Sequence, residues 1–170
     1  MKISVYILLL FILAACSNAH EKESQNEENN LKEPLIKLNK EISETESEQI
    51  DKYIKRRNWN MQETGTGLRY MIYQNGNGVQ AKVGNIAQIN FEISLLNGST
   101  VYSSNNKPEA FTVGHDNVES GLHEVLTYLR VGDKAKVIIP IHLAFGLAGD
   151  MNKIPPRSTL VYDLELVSLK

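Results

Sequence analysis

Ala87, Ile89, Phe91, Ile93 and Leu95 alternate with Gln88, Asn90, Glu92 and Ser94, and Asn97-Gly98 follows at once. Successive side chains on a strand point to opposite faces, so this pattern buries one face and wets the other. On a helix the same apolar residues would be smeared around the circumference. Asn-Gly is the strongest short-range hairpin signal, because both residues take positive φ at little cost. The chain therefore turns back on itself, and Ser99 to Ser103 is the expected return strand. An antiparallel pair is implied before any other segment is considered.

Further strands surround it. Leu68, Tyr70 and Ile72 alternate with Arg69, Met71 and Tyr73 until Asn75-Gly76-Asn77-Gly78 breaks the run. Lys134 to Ile139 and Thr159 to Leu169 read as two more strands. One helix interrupts them: Leu122, Val125, Leu126 and Leu129 fall at i, i+3, i+4 and i+7, a single apolar stripe. Gly132 is expected to end it, as glycine commonly does just past a helix. The pattern predicts an α+β domain, an antiparallel twisted sheet wrapped around one short helix.

Upstream, residues 31–60 form a helical extension. Leu31, Leu35, Leu38 and Ile42 recur at helical spacing, as do Ile50, Tyr53 and Ile54. Pro34 suits a first turn, where its missing N–H costs little. The stripe lapses between Thr45 and Gln49, which leaves one helix or two. Packing on its own domain, a stalk and self-association are all open to this segment. Lys52, Lys55, Arg56 and Arg57 read as a solvated face.

Eighteen Lys plus Arg against 20 Asp plus Glu give a net charge of −2, without the electrostatic footprint of a nucleic-acid binder. The four histidines show no ligand-like spacing, so neither a metal nor a cofactor is expected. Ser103-Ser104 has no histidine at a hydrolase spacing. The single cysteine, Cys16, excludes an intrachain disulfide. It ends an informative segment. Met1-Lys2 is basic and Ile3 to Leu13 is apolar, too short for a spanning helix of ~20 residues but sized as a secretory core. Leu13-Ala14-Ala15-Cys16 resembles a bacterial lipobox. That resemblance implies a signal peptide over 1–15, lipidation of Cys16, export, and anchorage to a membrane of the cell envelope through that lipid. Ser17, where an aspartate would signal inner-membrane retention, favours the outer membrane. A secreted protein cut after Ala15, with Cys16 a free thiol, is the alternative. Residues 16–30 are polar and acidic, a flexible tether unable to bury enough surface to fold.

The last third carries motifs in a specific order. Gly121-Leu122-His123-Glu124 is followed by Val131-Gly132-Asp133-Lys134-Ala135-Lys136-Val137 and then Ala144-Phe145-Gly146. Ile154-Pro155-Pro156 and the run from Leu160 to Leu166 complete it. This order closely resembles the C-terminal half of FKBP-type peptidyl-prolyl isomerases, and the resemblance extends from about Leu68 to Lys170. It implies an FKBP-like domain over 66–170, with an apolar pocket that accepts proline-containing polypeptide clients. Carried over motif by motif, the catalytic positions are Phe91, Tyr102, Phe111, Phe145 and Tyr162. The substrate-binding positions are Val101, Val118, Glu119, Leu122 and Ile154, with Ile154 on a flap over the pocket.

The chain departs from the family pattern at several of them. Val101-Tyr102-Ser103-Ser104 stands where the family has Phe-Asp-Ser-Ser, so the pocket aspartate is absent. Leu122 replaces the indole of the floor, and Phe145 replaces a tyrosine that donates to the ligand carbonyl. Glu119 offers its backbone N–H where the family has an aliphatic residue, and its side chain is expected to point to solvent. The tether, helix and altered pocket together look most like the FKBP-type lipoproteins associated with gliding motility. That resemblance implies a helper that folds envelope components of the motility machinery. A binding or scaffold module that kept the fold and lost catalysis is the rival reading.

Overall fold

The computed structural model describes Lys32 and residues 34–170; the expected signal peptide, Cys16 and the tether lie outside the described residues. The chain divides into two compact units, Met1–Thr45 and Glu46–Lys170. In the first, residues 34–45 are helical, with a Lys40–Glu44 ion pair at 3.9 Å. Leu35, Ile36 and Leu38 are exposed there.

The second unit opens with helical residues 46–57 (α1). Then come β1 (Gln62–Glu63), β2 (Arg69–Gln74), β3 (Ile86–Leu95), β4 (Thr100–Ser103) and β5 (Glu109–Thr112). The helix α2 (Ser120–Leu126), β6 (Lys134–Ile139), a 3₁₀ turn (Ile141–Leu143) and β7 (Leu160–Leu169) follow. The strand order is β1-β2-β6-β7-β3-β4, antiparallel throughout, and β5 also pairs with β3. The hairpin expected at Asn97-Gly98 joins β3 to β4, and Gly98 takes φ +92°.

The alternating residues build the main core. Ala87, Ile89 and Ile93 of β3, Ala135, Val137 and Ile139 of β6, and Leu160, Tyr162, Leu164 and Leu166 of β7 pack around Leu122, Val125 and Leu126 of α2. Gly121 lets α2 approach the sheet, since a Cβ there would lie 2.5 Å from Cγ2 of Ile139. The α-helix stops at Leu126, short of Gly132. Tyr128 and Leu129 donate to Val125 and Leu126, three residues back, so the stripe continues through tighter turns and Leu129 stays buried. Gly132, at φ +92°, instead serves the next turn and donates to the carbonyl of Leu166 at 2.8 Å. Buried Asp133 organises that turn by accepting from the N–H groups of Gly76 and Arg130.

The opposite face of the sheet is also covered. Val137-Ile138-Ile139 is apolar without alternation because Ile138 meets Ile50, Tyr53 and Val161 in a second cluster beneath α1. Burying an aliphatic or aromatic side chain contributes about 1.5–3 kcal/mol, so this cluster suffices to hold α1 to the sheet. Arg69, outward by alternation, is therefore buried. Its guanidinium donates to Ser47 Oγ at 2.7 Å and to the Gly67 carbonyl at 2.8 Å, and it pairs with Asp51 and Glu63. Buried Glu46 accepts from the Ile141 N–H at 2.8 Å and from the Thr159 hydroxyl.

Candidate functional site

The long strand β3 has a divided partner on its outer edge. On that edge β5 pairs with Ile86 to Ile89 and β4 pairs with Glu92 to Ser94, while Asn90 and Phe91 between them meet a strand only on the other side, in β7. Ser104 supplies the missing bonds: its N–H donates to the Phe91 carbonyl at 3.0 Å and its Oγ accepts from the Phe91 N–H at 3.1 Å. With its backbone satisfied, the split leaves room for a cleft on the helix side of the sheet.

That cleft has a volume of about 280 Å³. Ile89, Phe91 and Ile93 of β3 form one wall, and Tyr102 and Ser103 of β4 with Glu109, Ala110 and Phe111 of β5 form the rim. Val118, Glu119 and Leu122, around the start of α2, form the other wall, and Tyr162 of β7 lies in the floor. The rings of Phe91 and Tyr162 stand 6.2 Å apart, tilted by 49°, and Phe111 meets the His123 imidazole edge-on at 5.6 Å. His123 in turn braces the loop ahead of α2. Its Nδ1 accepts from the Gly114 N–H at 2.8 Å, which leaves Nε2 as the donor to the Asp116 carbonyl at 2.9 Å.

The structure thus brings Phe91, Tyr102, Phe111, Val118, Glu119, Leu122 and Tyr162 to one cleft, and does not bring Val101, Phe145 or Ile154 to its lining. Val101 is half-buried against the core. Phe145 is 36% exposed, on the turn after Ile141–Leu143. Ile154 packs into the main core, and its N–H donates to Asp150 Oδ1 at 2.7 Å, so it anchors its loop from below.

Glu119 corrects the reading of the sequence. Its side chain does not point to solvent. It is buried, and Oε1 accepts from the Tyr162 hydroxyl at 2.7 Å. As the residue preceding α2 it makes no side-chain cap, which leaves the carboxylate free to turn inward. Burial, then the Glu119 charge and its hydrogen bond, push the Tyr162 phenol well above the ordinary tyrosine range. Tyr162 therefore stays a donor.

Tyr102 likewise acquires a carboxylate that its own motif lacks. Its hydroxyl donates to Asp150 Oδ2, and Asn152 Nδ2 donates to the same hydroxyl at 3.1 Å. Asp150 Oδ1 also takes the N–H of Asn152, so one carboxylate ties the rim strand β4 to the loop before Ile154. The bond from Tyr102 to Asp150, with some burial, raises the Tyr102 phenol above its usual range.

Sequence reasoning missed Ile89, Ile93, Ser103, Glu109 and Ala110 in the lining. Glu109 had a usable signal: it stands two residues before Phe111 on one strand, hence on the same face. Asp150 had none, being 48 residues from Tyr102. A second cleft of about 310 Å³ is polar, lined by Asp163, Glu165, Lys134 and Glu92 among others; Lys134 pairs with Glu165, and Asp163 pairs with Lys136 and accepts from the Tyr73 hydroxyl.

A sheet wrapped on one helix in this way has counterparts among solved structures. The crystal structure of FkpA from Escherichia coli matches over 88% of this chain and 71% of its own, with a TM-score of 0.65 and 30% identity. That of AtFKBP13 matches over 65% of this chain and 99% of its own, with a TM-score of 0.62 and 27% identity. In sequence, the FKBP-type peptidyl-prolyl cis-trans isomerase FkpA of Escherichia coli strain K12 is 32% identical over 137 residues, 79% of this chain and 50% of the relative. The chain thus spans about half the length of that relative. The model of the FKBP-type peptidyl-prolyl cis-trans isomerase family matches residues 78–167, and this chain belongs to that family.

Proposed function

We propose that this chain is a peptidyl-prolyl cis-trans isomerase that helps exported proteins to fold, and that the cleft at the split edge of β3 is where it works. The observation that carries this is the convergence of Phe91, Tyr102, Phe111, Val118, Leu122 and Tyr162 on one small cleft. Rotation about an X–Pro bond needs neither nucleophile nor proton transfer. Its barrier of ~18–20 kcal/mol comes from amide resonance, and unaided isomerisation takes tens to hundreds of seconds. The planar amide is more polar than the twisted one. A largely apolar cleft that seats the proline ring and excludes water binds the twisted form better than the planar form, and that difference is the rate enhancement.

Clients are proline-containing polypeptides of the envelope. The lipobox-like Leu13-Ala14-Ala15-Cys16 supports an exported chain held by lipid on Cys16, at the outer membrane. Resemblance to the gliding-motility lipoproteins supports clients within that machinery. Exposed Leu35, Ile36 and Leu38 support self-association through the 31–60 segment.

The test is turnover of a proline-containing tetrapeptide by the purified chain in a protease-free assay, with Phe111→Ala as control. Catalysis that the control abolishes supports an enzyme. A folded chain with no turnover favours the scaffold reading, which the inward carboxylate of Glu119 and the outlying Phe145 already support.

A further inference from the structure

Two carboxylates, Glu109 and Glu119, line the cleft, and no lysine or arginine does. Glu119 is only 9% exposed, and Tyr162 occupies its Oε1 alone. Its Oε2 accepts no hydrogen bond, yet among the described residues no fully buried side-chain oxygen lacks a partner. Oε2 therefore keeps some accessible surface, and Glu119 is among the residues that line the cleft. Glu109, exposed on β5, extends the same sign of charge to the mouth, and its charge is felt at Tyr162 too. A lysine at the rim, Lys153, sits 5.1 Å from the centre of the Tyr102 ring, whose hydroxyl donates to Asp150.

We propose that the cleft selects prolines flanked by lysine or arginine, with Glu119 and Glu109 as its specificity-determining residues. This deepens the isomerase reading above and rests on it. A basic side chain lays its methylene stem along Phe111 and Val118 while its charged head reaches the free oxygen of Glu119. A flanking leucine covers the same oxygen without giving it a partner, which carries a desolvation cost. A flanking glutamate is repelled by both carboxylates.

The experiment compares tetrapeptides that differ in the residue beside proline, placed before or after it: lysine, leucine or glutamate. Turnover is read by NMR exchange and affinity by titration, using the full chain, Glu119→Gln and Glu109→Gln. Gln at 119 still offers Tyr162 an acceptor, and the exposed side chain of Glu109 carries no buried contact to lose. The expected result is kcat/KM about five- to ten-fold higher for the lysyl than for the leucyl peptide, shrinking with added salt and falling in both variants. Equal values for lysyl and leucyl peptides, or a lysyl preference untouched in both variants, would overturn the proposal. If no peptide turns over, the isomerase reading fails while affinity still decides selectivity. Tighter lysyl binding, lost in the variants, upholds it; equal or undetectable binding of all three rejects it.

Discussion

The bond between Tyr162 and Glu119 joins two buried groups across the floor of the cleft, and a double-mutant cycle measures what it contributes. Tyr162→Phe removes one hydroxyl and leaves the ring in place. Hydrogen bonds to charged groups contribute about 1.5–3 kcal/mol. Glu119 lines the cleft and its Oε2 is not fully buried, so water can reach the carboxylate that loses its donor, and the lower half of that range, about 1.5–2 kcal/mol, is expected. Glu119→Leu strands the Tyr162 hydroxyl instead. That residue is 2% exposed, so water cannot replace the acceptor and the loss is about 2–3 kcal/mol. In the double variant both polar groups are gone and the site is apolar, and a net change of about 0–1 kcal/mol follows. The coupling energy is then about 2.5–5 kcal/mol, with the double variant more stable than either single one. Urea unfolding of the four proteins, followed by far-UV circular dichroism, supplies these values. Single-variant losses that add within about 0.5 kcal/mol in the double variant would refute the reasoning.

Three other outcomes are expected. Because the Tyr162 phenol is held above its ordinary range, the folded chain keeps a proton that the unfolded chain releases near pH ~10. Its contribution is complete below about pH 10 and is lost as pH rises beyond it, by up to about 1.4 kcal/mol per pH unit; urea melts between about pH 8 and 11 should show this fall, and Tyr162→Phe should make it shallower, the raised Tyr73 and Tyr102 phenols supplying the rest. Glu46→Ala leaves the Ile141 N–H and the Thr159 hydroxyl without their buried acceptor, at a cost of about 2–3 kcal/mol by chemical denaturation, with Glu46→Gln milder. Gly121→Ala forces a methyl to within 2.5 Å of Ile139 Cγ2 and should cost about 1–3 kcal/mol, read as a lowered melting temperature with the far-UV spectrum unchanged.

What the sequence made legible was local. The alternation of Ala87 to Leu95, the Asn97-Gly98 turn and the Leu122 stripe each state their geometry within one element, and each stands in the structure as β3, its hairpin and α2. The burial of Arg69 was not legible, because alternation assigns faces but not what covers them; α1 covers this one. The inward turn of Glu119 was hidden for a related reason. Its partner lies 43 residues along the chain, and a glutamate between Val118 and a helix gives no local sign that a phenol awaits it. Phe145 and Ile154 were assigned to the pocket by motif order, yet loop backbone decides where such side chains point. The Asp150 hydrogen bonds draw the Ile154 loop toward Tyr102 while the isoleucine itself sinks into the core.

β7 lies between β6 and β3 in the middle of the sheet, although it follows every other strand in sequence. Its pairing with β3 spans long stretches of chain, as in the Asn90–Glu165 contact across 75 residues. Such topology places folding in the millisecond-to-second range, since distant segments must meet before their contacts repay the lost chain entropy. Until β7 docks, β3 and β6 both present open edges able to pair with a foreign strand. The strand that closes the sheet also carries Tyr162 into the cleft. A chain arrested before that step has no site with which to engage a client, and has itself the exposed edges of a client.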